Sequence, residues 1–333
     1  MAKWQLLETV EGFYLSHIVY HLHYKKVLEC LNGEETVAEI AARFDYDAAT
    51  LNALLDFVYQ TTDILQRDRS NRYRIHPQYL PYHRLGFHLD KFIGAYGPAL
   101  THLEESLRSS TLGNALLDEK MLADAFTKVG LLGVSLSTHL IRERGITSLV
   151  DLGCGSAALL MELCRDDTTF KGWGVDRNAS MCAAATEKIN TAGLTSRIRI
   201  IHADVRELEA HFPPEMRHEI GALHGSSILN EFFRSGSTEA ISFVNNLKRL
   251  FPNRLLFVVD YYGKLTHFRV TPLRYRHTLI HDVAQVISAQ GVPPPDIYSW
   301  ATIYDAAGCA LTQAYEGEND GIAWFAHIVH LGM

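Results

Sequence analysis

The stretch Val150-Asp-Leu-Gly-Cys-Gly-Ser-Ala-Ala158 follows an apolar run, Ser148 to Asp151, and opens a second one. Two glycines two residues apart let the backbone turn tightly and come close to whatever lies beside it. This is the pattern of a β-strand running through a sharp turn into a helix, and open α/β sheets bind ligands at that end of a strand. Working outward, short β-type runs recur at Thr169–Val175, Arg197–His202, Ile220–Ser226, Leu255–Val259, Ala310–Tyr315 and Trp324–His330. The spacings that hold helices between them predict an α/β, doubly wound, seven-stranded and mostly parallel sheet of Rossmann-like type. The cluster Glu316 to Ile322 predicts a turn, so the last two runs close the sheet as a hairpin with one antiparallel strand.

The glycine spacing also satisfies the G-x-G-x-x-A pattern of dinucleotide sites. Asp151 argues against that reading, because a carboxylate two residues before the first glycine would repel a pyrophosphate and favour a cation. Gly172-Trp-Gly-Val-Asp176 ends the next strand and places Asp176 where a carboxylate takes both hydroxyls of a ribose, a feature shared with nicotinamide enzymes. Ile201-His-Ala-Asp204-Val205 ends the third, with an acidic acceptor suited to an adenine amino group. In this order and at these intervals, DLGCG, GVD and HADV resemble the class I methyltransferase family over about residues 145–333. The resemblance implies S-adenosylmethionine as cofactor, with Asp151, Gly153 and Gly155 around its methionine end. It places Asp176 on the ribose, and Asp204 with Val205 on the adenine. Cys154, between the glycines, reads as packing.

The first hundred residues read as helical. Leu6, Leu7, Val10, Phe13, Tyr14 and Ile18 mark one apolar helix face. A helix over Glu35–Phe44 carries a capping box of Thr36 and Glu39. After the turn Asp45–Asp47 comes a helix over about Ala48–Thr61, then a hairpin of Ile64–Gln66 and Tyr73–Ile75 around the tip Arg67–Asn71. This is a winged helix. Its second helix, the DNA reader in such modules, carries Asp47, Asn52 and Asp56 and no Lys or Arg, so phosphate would repel it. The module therefore reads as packing or dimerisation, resembling the front end of dimeric small-molecule methyltransferases. The domain expectation is 1–110 for the winged-helix dimerisation domain and cap, and 111–333 for the methyltransferase domain. Tyr79, Tyr82, His83, His88, Phe92 and Tyr96 form an aromatic stripe that is either core or a roof over the acceptor.

Composition limits the alternatives. Of 333 residues, 47% are hydrophobic and 21% charged, which supports an ordinary core, and the net charge of −7 disfavours general nucleic-acid binding. Five scattered cysteines without a C-x-x-C argue against a disulfide framework or zinc knuckle and for a reducing compartment. With no apolar run of membrane-spanning length and no leader pattern, the expectation is a cytoplasmic homodimer with a small-molecule methyl acceptor and no nucleic-acid or membrane partner.

On the acceptor side, Ser226-Ser-Ile-Leu-Asn-Glu-Phe-Phe233 resembles the family's L-H-[DE]-[FW] segment, whose His is the base in many O-methyltransferases. Asn230 stands at that position, and an amide takes no proton at neutral pH. Glu231 beside it reads equally as a carboxylate in the cleft or as a helix-start residue facing solvent. His277 and His281 share a helix face; with 17 histidines in the chain, spacing alone makes both structural. The wider segment His281–Cys309 resembles, however, a bacterial branch that methylates 2-oxo acids at C3 and holds a divalent or iron-type metal through a His near this position. That resemblance implies Glu231 and His281 as metal ligands, with Asn230 beside them as a third catalytic residue, and an enolate stabilised by the metal. Three readings follow: C3-methylation of a 2-oxo acid, O- or N-methylation of a small aromatic metabolite, and a winged-helix regulator that senses the methyl donor without catalysis.

Overall fold

The computed structural model describes residues 3–80, 83–129, 131–265, 275–319 and 321–332. Contacts divide the chain into two units, one of residues 1–98 with 118–129 and one of residues 99–117 with 130–333. The sequence placed a single division near residue 110; the chain instead passes between the units three times, because the segment 99–117 packs with the C-terminal part and 118–129 with the N-terminal part.

The first unit is built from α1 (Lys3–Tyr24), α2 (Val37–Phe44), α3 (Ala48–Thr61) and an antiparallel pair, β1 (Leu65–Arg67) with β2 (Tyr73–Ile75). Thr36 and Glu39 cap α2 reciprocally: the Glu39 amide donates to Thr36 Oγ1 at 3.3 Å and the Thr36 amide donates to Glu39 Oε2 at 2.7 Å. Leu22, Leu28, Ile40, Leu55, Val58 and Tyr73 form its core. The acidic α3 uses Asp56 internally, as acceptor of the Tyr73 hydroxyl at 2.6 Å and partner of Arg67. On α1, Val19 and Leu22 are buried, while Leu6, Leu7, Val10, Phe13 and Tyr14 are 47–59% exposed. In the aromatic stripe, Tyr79 donates its hydroxyl to Asp63, and His88 stacks on Phe92 with ring centroids 6.1 Å apart. Tyr82 lies outside the described residues, as does the side chain of His83.

The second unit carries a seven-stranded sheet in the order β5-β4-β3-β6-β7-β9-β8, formed by β3 (Ser148–Leu152), β4 (Lys171–Asp176), β5 (Ile198–His202), β6 (Ala222–Ser226), β7 (Leu255–Tyr261), β8 (Ala310–Asn319) and β9 (Ile322–His330). The first five are parallel, and β9 runs antiparallel to both β7 and β8. The expected turn over Glu316–Ile322 is shorter than its composition suggested, because β8 continues to Asn319. Gly317 leaves room there for the Trp324 ring, which covers the strand where a Cβ would collide with it.

Strand residues alternate between two apolar layers. Leu149 joins Leu140, Ile141, Leu160 and Phe257 under the helices Leu131–Glu143 and Ala158–Asp166. Val150 and Leu152 join Phe243, Leu247, Trp300 and Ile303 under the helices Thr238–Leu250 and Ile297–Ala306. The chain winds from β3 outward to β5 and returns to start the other half at β6, so the β3/β6 boundary is the switch point where such sheets open a crevice. His327 shows that a core histidine here is satisfied internally: its ring nitrogens lie 3.1 Å from the Tyr262 and Tyr304 hydroxyls, and burial pushes it down to about 3, keeping it neutral. No described helix is long and apolar enough to cross a membrane.

Candidate active site

The turn after β3 is held open by three left-handed residues, Gly153 (φ 67°), Gly155 (φ 51°) and Ala157 (φ 58°). A side chain at Gly153 would put its Cβ 3.0 Å from Ile228 Cδ1, so close approach demands glycine there as much as backbone angle does. The amides of Gly153 and Cys154 both donate to the Val175 carbonyl, at 2.8 and 3.1 Å. Cys154 is buried over Gly174, where a Cβ would sit 2.6 Å from its sulfur, and burial raises its thiol well above the usual range. The cysteine is a packing group, as its position between the glycines suggested.

Asp176, at the end of β4, ties this turn to the next one. One carboxylate oxygen accepts from the Gly155 amide at 2.9 Å and the other from the Asn178 amide at 2.8 Å. A carboxylate has roughly four acceptor positions, so two remain for vicinal hydroxyls. Beyond β5, Asp204 accepts from the Arg206 amide at 2.8 Å and starts a short helical turn at the buried Val205. Arg206 pairs with Asp204 at 3.3 Å and Glu239 at 2.9 Å, and covers the Phe232 ring at 4.3 Å. Asp151, Asp176 and Asp204 thus stand at or just beyond the C-terminal ends of three adjacent strands.

Asp151 is 4% exposed and lies in register with His224 on β6. The His224 Nδ1 is 2.7 Å from Asp151 Oδ1, and its Nε2 is 2.9 Å from the Ser137 hydroxyl on the helix Leu131–Glu143. An ionised carboxylate only accepts, so Nδ1 carries a proton, and Ser137 holds Nε2 at the other side of the ring. The three groups have the connectivity of a nucleophilic triad. Ser137 and His224 are, however, 2% and 4% exposed, so no acyl substrate reaches the serine, and the network belongs to the packing around the glycine turn. Sequence reasoning missed it; the available signal was a histidine following the apolar residues Ala222 and Leu223 inside a strand.

β6 is followed by Ser227, which has the left-handed φ of 52° that marks strained positions beside ligand crevices. On the turn that follows, Asn230 is 3% exposed; its backbone amide donates to Asp260 Oδ2 at 3.1 Å, and its own Oδ1 is buried with no hydrogen-bond partner among the described residues. Glu231 is ion-paired with Arg177 at 3.3 Å. Burial lifts its carboxyl above the ordinary value, opposed by Arg177 and Arg206. Asp260, at the end of β7, is pushed up to about 7 by burial, against the amides of Tyr261 and Asn230 that it accepts. Tyr261 packs on the ring of His281, 4.6 Å between centroids. Asn230 and Glu231 are therefore neighbours on one turn, and His281 reaches that turn through Tyr261 and Asp260. The expected metal pair is not supported. Glu231 already faces a guanidinium, and no group of three or more His, Cys, Asp or Glu side chains suited to a metal is assembled among the described residues.

Residues 149–218 match the family of methyltransferase domains, the segment that holds the glycine turn, Asp176 and Asp204. Over that segment the chain carries a methyltransferase domain. A curated relative, a 3-hydroxy-5-methyl-1-naphthoate 3-O-methyltransferase of Streptomyces sahachiroi, is 42% identical over 60 residues, 18% of this chain; the match spans 17% of that relative's length. Among solved structures, the mitomycin 7-O-methyltransferase MmcR superposes with a TM-score of 0.73 at 13% identity, covering 99% of this chain and 97% of that one. The O-methyltransferase NcsB1 from neocarzinostatin biosynthesis, in complex with S-adenosylmethionine and 2-hydroxy-5-methyl naphthoic acid, superposes with 0.64 at 15% identity, covering 96% of each chain. At these identities the superpositions establish the fold, over nearly the whole length of the chain.

Proposed function

We propose that this methyltransferase transfers the methyl group of S-adenosylmethionine to a hydroxyl of a small aromatic acceptor. The observation that carries the reading is the row of Asp151, Asp176 and Asp204 along the ends of adjacent strands at the switch point. The residues fit the donor: Asp176 keeps two acceptor positions for ribose hydroxyls, Asp204 and the Val205 amide suit the adenine edge, and Asp151 suits the ammonium of the methionine end. When bound, S-adenosylmethionine supplies an electrophilic methyl group. The chain's own task is to position the acceptor oxygen and to remove its proton. Asn230 cannot take that proton, and its unpartnered Oδ1 serves instead to accept a hydrogen bond from the acceptor. Glu231 takes the proton: its carboxyl is lifted toward working pH, which makes it a better base than an ordinary carboxylate. His281 forms part of the acceptor wall through Tyr261.

The C3-methylation of a 2-oxo acid with metal assistance fits less well, since the Arg177 guanidinium beside Glu231 repels a metal cation and His281 packs against the Tyr261 ring. O-methylation is also what the names of the curated relative, MmcR and NcsB1 state for those proteins. The test is a panel of hydroxylated aromatic acids and 2-oxo acids incubated with methyl-labelled donor and read by product mass. Label on a phenolic oxygen is the expected outcome. Transfer only to carbon of the 2-oxo acids would overturn it.

We further propose that the chain is a homodimer through its N-terminal helices. The face of Leu6, Leu7, Val10, Phe13 and Tyr14 on α1 supports this, as a contiguous apolar surface of the kind that marks association. Removing residues 1–75 would destroy the first unit's own core, which includes Tyr73 and Ile75. A charge is the cleaner probe: Phe13→Glu should convert a dimer to a folded monomer in sedimentation, and an unchanged mass would refute the interface.

A further inference from the structure

We propose that His224 is a positioning residue for the methyl donor: it holds Asp151 in place for the donor's ammonium and is itself held by Ser137. The inference rests on the donor-binding role given above to Asp151 and adds a residue that no strand-end motif contains.

The argument is geometric. Leu149 and Asp151 alternate with Val150 along β3, so the Asp151 side chain lies on the face covered by the helix Leu131–Glu143, where Ser137 sits. A carboxylate in that layer has to be fixed by a donor from the protein, because burial removes most of its water. His224 meets the need because it occupies the same level on the adjacent parallel strand. The 2.7 Å bond from Nδ1 takes Oδ1 only, and among the described residues no other hydrogen bond is formed to that carboxylate. Oδ2 is thereby left as the acceptor for a cation arriving at the glycine turn. Ser137, at 2.9 Å from Nε2, holds the ring from its other side. With Oδ1 engaged by His224, the network presents the remaining carboxylate oxygen and its negative charge to the donor.

His224→Asn and His224→Gln divide the two ends of the ring. An asparagine amide reaches about as far as Nδ1 and can still donate to Asp151; a glutamine amide reaches about as far as Nε2 and keeps contact only with Ser137. Calorimetry with S-adenosylmethionine should show His224→Gln losing affinity by tenfold or more, and His224→Asn restoring most of it. The second ligand is 5′-methylthioadenosine, which has the adenine and ribose but no ammonium. Its affinity should be the same in the wild type and both variants. In an Asp151→Asn background, His224→Gln should cost no further donor affinity. Equal losses for the two ligands, or unchanged donor affinity in folded His224→Gln, overturn the inference and leave the methyl-donor reading standing. A wild-type chain that binds neither ligand overturns that reading and the inference with it. If His224→Gln does not fold, Ser137→Ala carries the same comparison, with a smaller but still donor-selective loss expected.

Discussion

Asp151→Ala is expected to abolish measurable binding of S-adenosylmethionine and, at the same time, to lower the thermal midpoint. The position at the sheet edge suggests a residue that can be removed without cost to the fold. The structure argues otherwise, because Asp151 is 4% exposed and is the acceptor for His224 Nδ1. Alanine leaves that buried N–H without a partner, which costs about 1–3 kcal/mol, or a few degrees in a chain of this size. Asp151→Asn separates the two effects. The amide oxygen still accepts from His224 while the negative charge is gone, so the melting temperature should stay near wild type and donor affinity should still fall by at least about tenfold, the size of a lost charge-assisted bond. Wild-type affinity in the asparagine variant would remove Asp151 from the donor site.

Glu231→Gln should lower turnover by about 10²–10⁴-fold, the usual contribution of a positioned general base, with little change in donor affinity. The pH dependence gives the independent readout. A base works only when ionised, so the wild-type rate should rise with pH through the Glu231 ionisation and level off above it. Burial outweighs Arg177 and Arg206 and lifts that ionisation, so the rising limb should lie above the ordinary carboxylate range. Asp260, pushed up to about 7 and raised in part by Glu231 itself, titrates in the same region; the limb belongs to the pair. In Glu231→Gln the residual rate should lose the Glu231 part of this limb. Arg177→Met should move the wild-type limb to higher pH, because it removes the cation that favours the ionised carboxylate. Near-normal turnover in Glu231→Gln would assign proton removal to another group.

What could be read from the sequence was local. Thr36 and Glu39 cap α2, Ala48–Thr61 is a helix to the residue, and the alternation of apolar runs with glycine turns placed all seven sheet strands, because caps, turns and periodicity depend on residues a few positions apart. The strand-end carboxylates Asp176 and Asp204 could be read for the same reason: a doubly wound sheet brings successive strand ends to one edge without further information. The pairing of Asp151 with His224, 73 residues apart, depends on β3 and β6 lying side by side in a fixed register, which no local pattern encodes. The same limit applied to Glu231 and His281. Their chemistry suited a metal, but tertiary packing set Arg177 against one and Tyr261 against the other. Residue type fixed what each side chain was able to do; the partner supplied by the fold decided which of those things it does.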